Sequence, residues 1–261
     1  MHEANFVRFG IITPVFDRCL GSLELLFREI HHQTHKNWIW MLCSNGYSRK
    51  ISQFIDKKNY ILKKSRKNAI IESPSLAYLN MDYEETPDAF SLMANISKRR
   101  DYCIHMHDSD YVIFIDADAK LLDSKMFEII SAELESTSKA ICIYKIELSK
   151  SRELPIFPIS YATIDTLNYC ISTMLAKRVG YPTTVNTEQY GNDFWFIDRC
   201  LKSTNGDYIF IDRVFGKYNG NNTYLNMQTL LGVHFKNEMP AKLLRSVKAF
   251  IYRRLLDPFR L

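Results

Sequence analysis

The apolar run Tyr111 to Ile115 leads directly into Asp116, Ala117 and Asp118, so a candidate strand delivers two carboxylates at its C-terminal end. Ligand sites in open α/β sheets lie at that end of the strands. Side chains two apart on extended backbone point the same way, which suits Asp116 and Asp118 to share one face and hold a hard cation or a ribose hydroxyl. A divalent ion there would offset charge building on a departing diphosphate. A solvated Asp-x-Asp turn capping the next helix accounts for the same residues equally well, and the motif alone leaves both readings open.

Such a pair needs a parallel sheet to carry it, and the first half of the chain supplies the pattern. Phe6 to Thr13 is short, apolar and β-rich, and Pro14 marks its end, since a missing N–H suits a strand terminus better than a strand interior. From Leu20 the positions Leu23, Leu26, Phe27 and Ile30 recur at helical spacing. Trp38 to Cys43 is a second apolar run, ended by the turn residues Ser44, Asn45 and Gly46. Strand, helix and strand make a right-handed βαβ unit. Leu76 to Met81 and Tyr111 to Ile115 add two strands around a segment of helical character from Phe90 to Tyr102. The parallel sheet then reaches about residue 118. Beyond it, Asp123 is placed to cap a helix bearing Met126, Phe127, Ile130 and Leu134, and Ala140 to Leu148 reads as a strand. Leu154 to Pro158 and the pair Tyr181, Pro182 interrupt the pattern. Phe194 to Leu201 reads as a helix and Asp207 to Asp212 as a strand.

Composition bounds the class. With 261 residues, of which 46% are hydrophobic and 13% aromatic, the chain can bury one substantial core. The formal charge of +5 comes from 34 basic and 29 acidic side chains, a mixed surface rather than a basic field. Basic residues do not interleave with aromatics along one segment, which argues against nucleic acid as a partner. Six cysteines without a C-x-x-C pair argue against a zinc site and a disulfide framework, so a reducing cytoplasm is expected. No stretch approaches the roughly 18 apolar residues of a spanning helix.

The ordered landmarks of the first half resemble glycosyltransferase family 2, the inverting family with the GT-A fold. The segment Gly10 to Phe16 is similar to that family's opening strand, and His32 to Trp38 is similar to its passage from first helix to second strand. Arg100 stands 16 residues before Asp116, where the family has an arginine ahead of its metal motif. The resemblance implies an α/β fold of GT-A type, a single Rossmann-like domain with a mixed central sheet. It would cover residues 1–235, with a nucleotide-sugar half over 1–120 and an acceptor half over 121–235. It further implies that Thr13 and Pro14 line the base pocket, that Arg100 lies near the donor, that Asp116 faces ribose and metal, and that Asp118 is the direct metal ligand.

Two departures stand out. The family has a carboxylate pair where this chain has Ser44 and Asn45, so Asn45 would read the base edge without supplying charge, with Asp82 or Glu84 as alternative contributors. Tyr190 to Phe196 resembles the acceptor-side motif in which a Glu-Asp pair opens a helix, with Asn192 in place of the glutamate. Asp193 then matches the family's catalytic base, a carboxylate needed to take the acceptor hydroxyl's proton. An Asn-Asp helix cap is the plainer account of the same pair. Asp198 and Glu188 are the fallback bases. His234 is similar to the family's late metal-binding histidine, while packing beside Val233 and Phe235 is the competing account. His31, His32, His105 and His107 read as surface or packing residues.

From Pro240 to Arg254, Leu243, Leu244, Val247, Phe250 and Ile251 share one helical face, with Lys242, Arg245, Lys248 and Arg253 mostly elsewhere. The tail over 236–261 is therefore expected to carry a basic amphipathic helix, suited either to an anionic bilayer surface or to docking on the core. The functional expectation is a metal-dependent enzyme using manganese or magnesium. It would move a sugar from a nucleotide diphosphate sugar, a UDP-sugar above all, to a saccharide or lipid-linked acceptor in surface polysaccharide or lipopolysaccharide assembly. It would be cytoplasmic, with peripheral contact at the inner face of the plasma membrane. A nucleotidyltransferase and a non-catalytic scaffold of the same fold are the competing expectations.

Overall fold

A computed structural model describes residues 7–65, 74–81, 89–148, 152–160, 163–183 and 192–218. These fall within one compact unit that ends at Asn219. Asp82, Glu84, Glu188, Tyr190, His234, the amphipathic segment 240–254 and the expected boundary at 235 lie outside the described residues.

The elements in chain order are β1 (Phe9–Val15), α1 (Leu20–His31), β2 (Trp38–Asn45), α2 (Arg49–Ser65), β3 (Ser75–Met81), α3 (Ala89–Met106), β4 (Tyr111–Phe114), β5 (Ala119–Leu121), α4 (Met126–Thr137), β6 (Ile141–Leu148), β7 (Arg152–Leu154), β8 (Tyr169–Ser172), α5 (Thr173–Val179), α6 (Asn192–Ser203) and β9 (Ile209–Tyr218). The described strands form one mixed sheet in the order β3-β2-β1-β4-β8-β6-β9-β5, with β7 on β6. β3, β2, β1 and β4 are mutually parallel, as the first-half pattern requires. β8 then enters antiparallel between β4 and β6. The fold is thus the mixed α/β sheet architecture expected of a GT-A domain.

Every residue of β1 is buried, because the strand lies between β2 and β4 and is covered on both faces. Phe9, Ile11 and Val15 join a core with Leu23, Leu26, Phe27 and Ile30 of α1 and with Phe127, Ile130 and Leu134 of α4. Ile12 faces a second core with Cys103 and Ile104 of α3, Leu175 and Ala176 of α5, and Phe196 and Ile197 of α6. The α1 stripe has the expected i, i+3, i+4, i+7 spacing, and full burial of each such side chain contributes about 1.5–3 kcal/mol.

Two local expectations need correction. β1 runs through Pro14 to Val15 rather than stopping before the proline. Ile12 gives its carbonyl to Ile115 on the β4 side. Alternation then puts the Pro14 nitrogen on that same side, two residues beyond the last β1–β4 pair, so no ladder bond is forfeited. Asp123 does not cap α4 either. The cap position is Lys125, whose N–H donates to Asp123 Oδ1 at 2.9 Å, and Asp123 also pairs with Arg213. The α4 entry is held instead by buried Gln33, which donates to Asp123 O at 2.8 Å and accepts from Phe127 N at 3.2 Å. This gives the His32 to Trp38 segment a structural task. Its His35 likewise reaches back to Val7 O at 2.8 Å.

No helix among the described residues is long and apolar enough to cross a membrane.

Candidate active site

The site is assembled on one face of α3. Ser97, Arg100 and Asp101 are spaced i, i+3, i+4 and so project together. The helix itself packs against β1 and β2. Each of the three holds a different piece of the second half.

Asp101 takes the segment after α5. That helix ends at Gly180, whose φ of 70° turns the chain so that Tyr181 N donates to Asp101 Oδ1 at 2.7 Å. Tyr181 is buried, its ring against Phe196 at 4.8 Å and Phe114 at 5.5 Å between centroids. Ser97 takes the start of α6: Asn192 Nδ2 donates to Ser97 Oγ at 2.7 Å, both residues buried. A glutamate, the family's residue here, could not make that donation when ionised. Arg100 takes the carboxylates. Its Nη1 donates to Asp193 Oδ1 at 2.9 Å and its Nη2 to Asp116 Oδ1 at 2.6 Å.

Tyr181 completes the arrangement. Its hydroxyl donates to Asp193 Oδ1 at 2.6 Å and accepts from Arg100 Nη1 at 2.9 Å. Both side-chain hydrogen bonds of Asp193 among the described residues fall on Oδ1, and none falls on Oδ2. The side chain remains 20% exposed in the first turn of α6, where the helix dipole favours a negative charge. Tyr169 OH reaches the Asp193 carbonyl at 3.3 Å.

Arg100 itself is 4% exposed. Burial works against its charge, and Asp116, Tyr181 and Asp193 together outweigh burial, so its proton is held more tightly than in a free guanidinium. Burial likewise pushes the Tyr181 phenol up, against the pull of Arg100, which keeps it a hydrogen-bond donor.

Asp116 opens a turn closed by Ala119 N to Asp116 O at 2.9 Å, and both Asp116 and Asp118 are half-buried. Cys19 lies beside them. Its thiol is pushed up chiefly by burial, with Asp118 and Asp116 adding to the effect. Among the described residues no three His, Cys, Asp or Glu side chains converge on one point. Two hard oxygen donors on one turn still fit a divalent cation of the kind that takes its remaining ligands from water and substrate phosphate.

Thr13 and Pro14 sit at the end of β1 but are buried. The Thr13 hydroxyl donates to Ile115 O at 2.6 Å and accepts from Trp40 Nε1 at 2.8 Å, so it ties β1 to its two neighbours. Asn45 ends β2 opposite Met81 and is half-buried. Next to it runs a network that sequence reading missed. Tyr78 OH shares a hydrogen bond with Ser44 Oγ at 2.7 Å and accepts from Ser48 N at 2.7 Å, while Ser48 Oγ donates to Asp17. A carboxylate therefore does stand near the Ser44–Asn45 turn, supplied from beyond β1. Asp198, nearly two turns into α6, pairs with Lys202 at 2.7 Å. Tyr181 is the other omission: the sequence showed it only as a pattern break beside Pro182, and Gly180 before it was the available signal.

No family model matches the chain, and no curated protein sequence matches it. Solved structures do. The chain is similar to S. aureus TarS, with 13% identity and a TM-score of 0.61 over 95% of this chain and 44% of TarS. The S. aureus TarS fragment 1-349 in complex with UDP matches with 14% identity and a TM-score of 0.56, over 94% of this chain and 71% of that one. The mannosyltransferase PcManGT from Pyrobaculum calidifontis, in complex with GDP-Man and Mn2+, matches with 11% identity and a TM-score of 0.59, over 98% of this chain and 72% of that one. The chain thus spans less than half the length of full TarS. At these identities the likeness establishes a shared fold alone, a mixed α/β sheet.

Proposed function

We propose that the chain is a nucleotide-sugar-dependent glycosyltransferase of the inverting kind, related to glycosyltransferase family 2. The observation that carries this reading is the Arg100 bridge, which joins the Asp116 turn to a carboxylate at the start of α6 whose Oδ2 takes no hydrogen bond among the described residues. Separations of 16 and 93 residues along the chain close on one guanidinium. The shared fold with proteins described in complex with UDP, and with GDP-Man and Mn2+, supports a sugar nucleotide as donor.

In this reading Asp193 accepts the proton of an acceptor hydroxyl through Oδ2. The acceptor oxygen bonds to the anomeric carbon as the bond from that carbon to the nucleotide diphosphate breaks. Asp118, with Asp116, would hold a divalent cation, which supplies charge compensation for the departing diphosphate. Arg100 keeps the Asp116 turn and Asp193 at fixed separation, so that donor and acceptor meet in register. The bond from Asn192 to Ser97 gives the residue at this departure a structural task, that of tying the start of α6 to α3. A saccharide or lipid-linked acceptor in surface polysaccharide assembly, and a cytoplasmic enzyme touching the inner membrane face through 236–261, remain parts of the proposal that rest on the sequence.

Calorimetric titration with UDP, GDP, CMP and dTDP, with and without manganese, tests the donor side. One nucleotide should bind in a metal-dependent way, and Asp118→Asn should abolish that dependence. Asp193→Asn should leave nucleotide binding intact and lower sugar transfer by about 10²–10⁴-fold. No nucleotide binding by the wild type would overturn the reading.

A further inference from the structure

We propose that Tyr181 is a positioning residue for proton transfer, saturating Asp193 Oδ1 so that Oδ2 is the oxygen that takes the acceptor's proton. The inference rests on the reading of Asp193 as the base. A carboxylate on a helix terminus rotates about its terminal torsion, which is broad and roughly two-fold, so either oxygen can face the substrate unless one is tied down. Here Oδ1 accepts from two donors that come from different elements, the Tyr181 hydroxyl at 2.6 Å and Arg100 Nη1 at 2.9 Å. The two donors are also bonded to each other at 2.9 Å, which closes a three-membered ring of hydrogen bonds. Neither donor can swing away without breaking two bonds.

The phenol is placed by the backbone as much as by its ring. Tyr181 N is fixed to Asp101 Oδ1 at 2.7 Å, one residue along α3 from Arg100, and the ring is wedged against Phe196 and Phe114. Tyr181 is 3% exposed, so its hydroxyl has no solvent to exchange with and points its proton at the carboxylate. Arg100 alone would hold Asp193 as well as Asp116 through one planar fork, and any movement of the Asp116 turn on donor binding would be passed to the base. The phenol gives Oδ1 a second anchor whose own placement comes from Asp101 and the aromatic contacts as well as from Arg100.

Tyr181→Phe removes the hydroxyl and keeps the ring in its aromatic contacts. Turnover of UDP-glucose and GDP-mannose with water as acceptor is measured for wild type, Tyr181→Phe and Asp193→Asn, together with nucleotide affinity and the melting temperature. The expected result is a kcat about tenfold lower in Tyr181→Phe, with KM and nucleotide affinity within about twofold of wild type, because the lost bond acts on the reacting geometry alone. Tyr181→Leu, which also removes the ring, should lose kcat and lower the melting temperature together. If Asp193→Asn is inactive while Tyr181→Phe keeps wild-type kcat, the positioning role is overturned and the base assignment stands. If Asp193→Asn retains full activity, or the wild type turns over neither sugar nucleotide, the base assignment falls and the role of Tyr181 falls with it. If Tyr181→Phe loses nucleotide affinity in step with kcat, its effect is a general one on the site and the positioning role is overturned.

Discussion

Removing the charge of Arg100 should destabilise the protein through the carboxylates it leaves behind, not through the volume it vacates. In Arg100→Met the stem is roughly replaced, while Asp116 and Asp193 each lose a bond from a buried guanidinium. Breaking a fully buried pair costs about 3–5 kcal/mol. Asp116 and Asp193 keep 26% and 20% exposure, so solvent recovers part of the loss. A cost of about 2–3 kcal/mol follows once that screening is allowed for. For a chain of this size that corresponds to a melting temperature lower by about 4–12 °C. Calorimetric melting at pH 7 measures it. The decisive comparison adds Asp116→Asn and Asp193→Asn to Arg100→Met. If stranded charge is the cause, the triple variant melts higher than Arg100→Met alone, since neutral amides need no counter-ion. A triple variant that melts lower, by the sum of the separate losses, would refute the charge argument and make Arg100 a packing residue.

Three further outcomes are expected. His107 is buried, with no well-formed hydrogen bond to either ring nitrogen among the described residues, and burial, opposed by the Ile11 backbone and aided by Lys177 and Arg8, holds its pKa down to about 4. The folded protein therefore keeps it neutral while the unfolded chain takes up a proton near 6.5, so stability is complete above about pH 7 and falls between pH 6.5 and 4, by about 3 kcal/mol; urea unfolding at pH 7.5 and 4.5 should show this loss in wild type and a smaller one in His107→Phe. Of the six thiols only Cys19 is partly exposed, and its raised pKa slows reaction, so native titration with a disulfide reagent should modify one thiol slowly and denaturant should release all six; two or more native thiols reacting at once would contradict the burial of the other five. Asn192→Glu, which introduces the residue of the family that the sequence resembles, should cost about 1–3 kcal/mol by placing a charge at a buried position, seen as a lower melting temperature with no gain in transfer.

What the sequence disclosed follows the range of the interactions that build each part. The α1 stripe is written in local spacing, and burial of Leu23, Leu26, Phe27 and Ile30 matches it residue for residue. The inner parallel strands β1, β2 and β4 are largely continuous apolar runs, because strands covered on both faces have no polar side to show. α2 escaped notice because Lys58 occupies a core position between Ile51, Phe54, Ile55 and Leu62. Its ammonium lies over the rings of Phe27 and Phe54 and pairs with Glu24 of α1, so a charged residue is held at a core position. β5, β7 and β8 are three or four residues long, too short to carry a period of two. β5 and β8 pair with β9 and β4, which lie far along the chain, whereas β7 pairs with the end of β6 only a few residues before it.

The candidate site divides along the same line. Arg100, Asp116 and Asp193 were each visible as residue types in suggestive places, yet no spacing says that one guanidinium holds both carboxylates. That follows from tertiary placement, with α3 crossing β1 and β2 and presenting Ser97, Arg100 and Asp101 to segments that begin 80 residues or more beyond them. The same placement explains the departures in the second half. Asn192 donates to a hydroxyl on α3, and Tyr181 is a phenol because it must accept from a guanidinium while donating to a carboxylate, which no carboxylate or ammonium can do. Arg100 is buried at the point where these bonds meet, and its proton is held more tightly than in a free guanidinium. The separation between the Asp116 turn and Asp193 is therefore set by a group that keeps its charge throughout the range in which the fold itself survives.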